Sequence, residues 1–205
     1  MKRTIFATTA VSLVAAATFW WGTDGLSAFT AEAARRQQVL LEPRPIPAVR
    51  LEDQHARSLT LADFDGHRVA VEFIYTRCAT VCRSLGTAFR QIRDEIEREA
   101  PDNDLVLLSL SFDPEHDDPA ALKAWGDTHG VDGRRWRVAR VAEPAQLAPL
   151  LAAFGVVVVA DGLGGWEHNA AIHLLERDGR LVRIADIEEP ARFLAELDAL
   201  SDPQS

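Results

Sequence analysis

The two cysteines of this 205-residue chain lie four residues apart, Cys78 and Cys82 in the stretch YTRCATVC, and there is no third. Residues four apart on a helix share a face, with Cβ atoms roughly 5–6 Å from each other. A small backbone adjustment brings such a pair within the Cα separation of about 4.4–6.8 Å that a disulfide uses. Two thiolates on one face also grip a soft metal ion, provided a third ligand arrives from elsewhere. The spacing is CxxxC, not the CxxC of the thioredoxin-type redox motif. Three chemistries are open to the pair: thiol–disulfide exchange, soft-metal binding and a plain structural disulfide.

The elements around the cysteines narrow these choices. Val69–Tyr75 is a short apolar run rich in β-branched and aromatic residues, as expected of a buried strand. It breaks at Thr76-Arg77, and after the cysteines Leu85, Ala88, Phe89, Ile92 and Ile96 recur at helical spacing up to Ala100-Pro101. The sulfurs therefore fall where a strand hands over to a helix. The unpaired N–H groups and dipole of a helix N-terminus favour negative charge there, so a thiol loses its proton more readily. Arg77 and Arg83 flank the pair and push the same way. This setting favours reactive sulfur over an inert bridge.

A third metal ligand would come from the six histidines. His55 and His67 lie in polar, solvated context, and His116 sits in a loop of acids. His129 ends a helix, where a cation suits the dipole. His173 falls inside a strand and reads as a packed side chain. His168, in GLGGWEHNAAIHLL, follows a glycine loop and precedes a strand, from where it can reach a neighbouring helix N-terminus. In the loop SFDPEHDDP, Asp113, His116, Asp117 and Asp118 offer oxygen ligands suited to hard cations, but Asp-Pro and Asp-Asp-Pro are ordinary loop and cap chemistry, and the structural reading is preferred. Glu72 is an acid in the middle of the cysteine strand. Burial obliges it to be paired, protonated or near the surface; pairing with an arginine is the expected account, and service as proton acceptor for a thiol the sharper one.

The rest of the chain supplies the frame. Met1–Arg3 is basic, and Thr4–Trp21 is mostly apolar and uncharged, ending in Phe19-Trp20-Trp21. An uncleaved membrane anchor is expected, with a signal peptide cleaved near Ala31-Glu32-Ala33 as the alternative. Either way the folded part leaves the cytoplasm for a compartment that permits disulfides. Residues 1–33 form this anchor or signal, 34–47 a proline-bearing linker and 48–205 a single domain. The net charge of −9 argues against nucleic acid as a partner. A short hairpin is expected within Ala48–Leu61, strands over Leu105–Leu110 and Trp136–Val141, and helices over Ala120–His129 and Pro144–Phe154. Val156–Ala160 is a short strand. Ala170–Leu175 and Arg180–Ala185 flank the turn Arg177-Asp178-Gly179, and Glu189–Leu200 closes the chain as an amphipathic helix. This order makes an α/β protein with a central mixed sheet flanked by helices and a C-terminal β-hairpin and helix. A redox-type cysteine motif after the first core strand points to the thioredoxin-like version of that class.

Three stretches together, FIYTRCATVC with its helix, SLSFDPEHDDPAALKAW and EHNAAIHLLERDGRL, resemble the Sco/SenC family of copper-binding, membrane-anchored thioredoxin-like proteins. The resemblance implies that Cys78, Cys82 and His168 bind a copper ion, Cu(I) or Cu(II). It also implies work on the binuclear copper centre of cytochrome c oxidase, by delivering copper or by maintaining that centre's thiols. The partners implied are a cysteine-bearing acceptor such as an oxidase subunit, other copper chaperones, and the membrane through the N-terminal segment, with the domain on the periplasmic or equivalent oxidising side. The chain departs from the family pattern at Ala79, Thr80 and Arg83, where many relatives have proline, aspartate and proline, and at Glu167, where aspartate commonly precedes the histidine. Arg83 favours free thiolate but opposes an added cation. The alternative function is therefore a thiol–disulfide oxidoreductase in which Cys78 and Cys82 are the catalytic pair and no metal is required.

Overall fold

The computed structural model describes residues 2–22, 30–78, 81–162 and 164–201, and the side chain of Cys82 lies outside that description. The chain divides into two compact units, Met1–Glu42 and Pro43–Ser205. The first holds α1 (Lys2–Gly22) and α2 (Ala31–Leu41). No helix among the described residues is long and apolar enough to cross a membrane. Helix α2 covers much of what reads as an irregular linker. Thr30 caps it by accepting the Ala33 N–H at 3.0 Å, and Glu32 pairs with Arg35 and Arg36 one turn on, at 2.7 and 2.8 Å. Local capping and i,i+3/i,i+4 pairing outweigh the weak apolar periodicity of this segment.

The second unit is built on an eight-stranded sheet. In chain order its strands are β1 (Arg44–Pro45), β2 (Arg50–Asp53), β3 (Ser58–Thr60), β4 (Val69–Ile74), β5 (Val106–Ser111) and β6 (Trp136–Val141). Two more, β9 (Ile172–Leu175) and β10 (Arg180–Ala185), complete the spatial order β1-β10-β9-β4-β5-β6-β2-β3. β4, β5 and β6 are parallel to one another, and the flanking pairings are antiparallel. The helices are α3 (Val81–Glu99), α4 (Pro119–His129), α5 (Leu147–Phe154) and α6 (Pro190–Ser201). This is the thioredoxin-like arrangement expected from the strand–cysteine–helix order.

Two faces of the sheet are covered, so its central strands must be apolar on both sides. Every residue of β4 is buried. On one face Phe89 of α3 and Trp125 of α4 meet Trp136, with ring centroids 5.9 and 6.1 Å apart; on the other Phe73 meets Phe154 of α5 at 5.0 Å. Each such side chain contributes roughly 1.5–3 kcal/mol by leaving water. Gly86 lets α3 approach α4: a Cβ there would fall 2.2 Å from the His129 ring. The expected helix over Pro144–Phe154 begins as a 3₁₀ turn, Pro144–Gln146, before α5.

One expected strand belongs elsewhere. β7 (Val158–Ala160) does not join the main sheet; it pairs antiparallel with β8 (Trp166–His168) in a two-stranded sheet of its own. Alternation puts His168 on one face of this hairpin with Val158 and Trp166, while Val157 and Val159 are exposed on the other.

Candidate metal centre

The three parallel strands end on one edge, and the segments leaving their carboxyl ends carry most of the candidate chemistry, as is general for such sheets. β4 leads through Tyr75, Thr76 and Arg77 to Cys78. The Cys78 N–H bonds back to the Tyr75 carbonyl at 3.2 Å, closing a turn, and α3 runs over Val81–Glu99. Cys78 is therefore a half-buried residue of the turn, and Cys82 alone occupies the first turn of the helix. A groove of about 560 Å³, lined by Thr76, Cys78, Ala124, Trp125, Thr128 and His129 among others, opens beside the turn.

The turn is clamped from the loop after β5. Asp117, fully buried, accepts the Thr76 N–H at 3.0 Å, the Thr76 hydroxyl at 2.6 Å and the Ser111 hydroxyl at 2.5 Å. Asp113 pairs with Arg77 at 2.7 Å and with His116 Nδ1 at 2.8 Å. Burial works against the Asp113 charge, but the hydrogen bonds from Arg77 and His116 overcome it and hold the carboxyl below its usual range. Asp118 caps α4 by accepting the Ala121 N–H at 2.8 Å. Asp113, Asp117 and Asp118 are thus spent on loop and cap structure, as preferred from sequence. Arg77, expected to act on the thiols, has its charge engaged by Asp113.

His168 ends β8 and its ring packs edge-on against Phe112, 5.1 Å between centroids; Phe112 in turn lies 5.3 Å from Tyr75, three residues before Cys78. Both ring nitrogens of His168 are buried and have no hydrogen-bond partner among the described residues. Burial pushes its pKa down to about 4, so the ring is neutral at physiological pH. An imidazole with both nitrogens buried and unspent is costly unless something else satisfies them. Neutral imidazole is also the form that ligates metals, and nitrogen with thiolate sulfur is a donor set for copper or zinc.

His173 and His129 are otherwise engaged, while His55 and His67 are exposed. His173 is buried, with Nδ1 3.2 Å from the Val71 carbonyl and its ring edge-on to Phe73 and Phe154. His129 stacks on Trp125 at 4.0 Å, with Nδ1 2.8 Å from the Trp125 carbonyl. Among the described residues no group of three or more His, Cys, Asp or Glu side chains is gathered as a metal site. Two of the three candidate ligands, Cys78 and His168, are described, and the third, Cys82, has its backbone placed at the start of α3.

Glu72 overturns one expectation. Its partner is not an arginine but the Ser109 hydroxyl, which donates to Oε1 at 2.5 Å and accepts the Trp136 Nε1–H at 2.9 Å. Parallel pairing of β4 with β5 sets Glu72 opposite Ser109, a register invisible from either strand alone. Burial pushes the carboxyl up to about 8, against the Ser109 hydrogen bond, so it is largely protonated at neutral pH. Ser109, Phe112 and Tyr75 were not identified as site residues from sequence, and Asp117 was weighed there only as a hard-cation ligand or loop residue.

Comparison with known proteins follows the same lines. A family model described as SCO1/SenC matches residues 44–200. The SCO1 protein homolog of Bacillus subtilis is 22% identical over 134 residues, 64% of this chain and 68% of that protein. Among solved structures, a SCO1/SenC family lipoprotein from Bacillus anthracis superposes with a TM-score of 0.71 at 18% identity, covering 80% of this chain and 99% of that one. Bradyrhizobium japonicum ScoI with copper bound gives 0.64 at 24% identity, covering 76% and 98%.

Proposed function

The chain belongs to the SCO1/SenC family, and from that premise we propose that it is a copper-binding assembly factor for the copper centre of a respiratory oxidase, using Cys78, Cys82 and His168 as its ligands. The observation that carries this reading is His168: a neutral, half-buried ring whose two nitrogens are buried and unspent, packed through Phe112 and Tyr75 toward the cysteine turn. The copper-bound state of ScoI, a structural relative, supports the same cargo. Copper is cargo here, so the work is ligand exchange. With both cysteines reduced, two thiolates and one imidazole hold Cu(I) three-coordinate, leaving room for a partner's thiolate to enter before these ligands leave. Exchange with a partner's disulfide, which takes up the two electrons and leaves as a dithiol, would close Cys78 and Cys82 as a disulfide, remove two of the three donors and release the ion. Thiol state then switches binding.

The same reading puts the domain on the oxidising side of a membrane, attached through the segment before residue 34 and spaced by residues 34–47. The apolar stretch Thr4–Trp21 and the lipoprotein character of the Bacillus anthracis relative support it.

The test is copper stoichiometry and competition with a small thiol, on reduced protein. Wild type should retain one Cu(I) per chain. His168→Ala should lose more than the about 10–100-fold that outer-shell changes typically cost, while His173→Ala should bind as wild type does. Retention by His168→Ala with loss by His173→Ala would refute the ligand assignment. If neither histidine matters and the protein rapidly reduces disulfides, thiol exchange is its function, since that chemistry needs only an attacking and a resolving thiol.

A further inference from the structure

His168 and Cys78 stand on separate segments, and the hairpin bearing His168 is not a strand pair of the main sheet. A two-stranded hairpin is marginal by itself in water. A polar tie runs from it to the end of the cysteine strand. The Tyr75 hydroxyl donates to the Trp166 carbonyl at 3.3 Å and accepts the Trp166 N–H at 3.2 Å. It thus engages both main-chain groups of one residue, as a neighbouring strand would. Trp166 is two residues before His168 on the same face of β8, and Tyr75 is three residues before Cys78.

The surroundings are shaped for this contact. Tyr75 is only 6% exposed, and its ring and His168 rest on the same Phe112. Gly165 leaves space for the hydroxyl: a Cβ there would lie 3.1 Å from Tyr75 Oη and 2.6 Å from Asp161 Oδ2. Asp161 closes the loop that presents this edge, accepting the Gly165 N–H at 2.9 Å through Oδ1 while its own N–H bonds the Gly165 carbonyl at 3.1 Å. The bare backbone at Gly165 therefore serves both the turn and the tyrosine.

We propose that Tyr75 is the positioning residue of the metal centre, its hydroxyl fixing the strand that carries His168 against the turn that carries Cys78. This rests on the copper reading of the same site. A ligand set works only when held within about 0.5 Å of its productive geometry by groups behind it. Without the hydroxyl the hairpin keeps its own hydrogen bonds but loses its lock on β4, and copper must then bear the cost of ordering it.

Tyr75→Phe removes the two hydrogen bonds and keeps the ring on Phe112. In the apo protein the Trp166 amide should exchange with solvent at least about tenfold faster, with amides of β4 and β5 unchanged. Cu(I) affinity should fall about 10–100-fold, and the visible spectrum of the Cu(II) form should shift, while thiol titration still finds two cysteines. Gly165→Ala, whose Cβ would press on the same hydroxyl, should weaken copper binding in the same direction without touching a ligand. Copper affinity, spectrum and Trp166 exchange all unchanged in Tyr75→Phe, with wild-type binding that depends on His168, would overturn the role. Wild type that binds no copper, or binds it equally after His168→Ala, would instead refute the copper reading itself, and the positioning role with it, whatever Trp166 does.

Discussion

Single residues in this molecule carry their function through what surrounds them. Glu72 and His168 are both neutral for the same reason, burial, although one is an acid and the other a base. For Glu72 the sign of the consequence follows from proton counting. Its folded pKa of about 8 lies above the unfolded value near 4.5, so between those limits the native state holds a proton that the unfolded chain has released. The carboxyl's contribution to stability is therefore complete below about pH 4.5 and is lost as pH rises toward 8. Each unit of pH in that window can cost up to about 1.4 kcal/mol. Glu72→Gln, which keeps a carbonyl oxygen for Ser109, should flatten the curve. Urea-unfolding free energies of both proteins between pH 5 and 8 provide the check, and the difference between the curves isolates Glu72, because His168 titrates in both. Parallel curves would show that Glu72 is ionised or solvated in the native state.

Elements matter here chiefly where they end. β4 delivers Tyr75, Thr76 and Cys78 to one edge, and the loop after β5 reaches over to hold them. Asp117 satisfies three donors from inside the protein: Thr76 N–H, Thr76 hydroxyl and Ser111 hydroxyl. Asp117→Ala leaves all three without their acceptor in a buried place. A loss of about 2–4 kcal/mol in the unfolding free energy of the apo protein is expected, together with a faster reaction of Cys78 with a thiol reagent as its turn loosens. Asp117→Asn should lie between the two, since one oxygen remains. A change below about 0.5 kcal/mol, the range of ordinary surface substitutions, would mean that water replaces the carboxylate freely. Gly86 illustrates the same dependence on junctions: its missing side chain is what allows His129, at the end of α4, to lie against α3.

At the scale of the whole molecule, the chain divides into two units, Met1–Glu42 and Pro43–Ser205. Thr4–Trp21 is uncharged and ends in aromatics suited to a membrane interface. Full-length protein should fractionate with membranes, resist extraction by high salt and be released by detergent, whereas a chain beginning at Gln37 should be soluble and still bind copper. Mature protein in the soluble fraction, with its N-terminus just after Ala33, would identify a cleaved signal in place of an anchor.

Much of this was legible without coordinates, because it depends on local order. The strand–CxxxC–helix succession, the parallel strands as continuous apolar runs, the proline and aspartate that open α4 and the Asp178-Gly179 turn are all set by neighbours in the chain, where propensity and periodicity act. So was the prominence of Cys78, Cys82 and His168, through motif order. The tertiary structure decided what depends on register and on contact between distant segments. It made Ser109 rather than an arginine the partner of Glu72, because β4 and β5 pair in parallel. It paired Val158–Ala160 with the strand that bears His168, and it placed Cys78 in the turn that follows β4. Those outcomes are settled by hydrogen bonds such as those of Ser109 to Glu72 and of Asp117 to Thr76, which link residues 37 and 41 positions apart, and no pattern confined to a strand or a helix contains them.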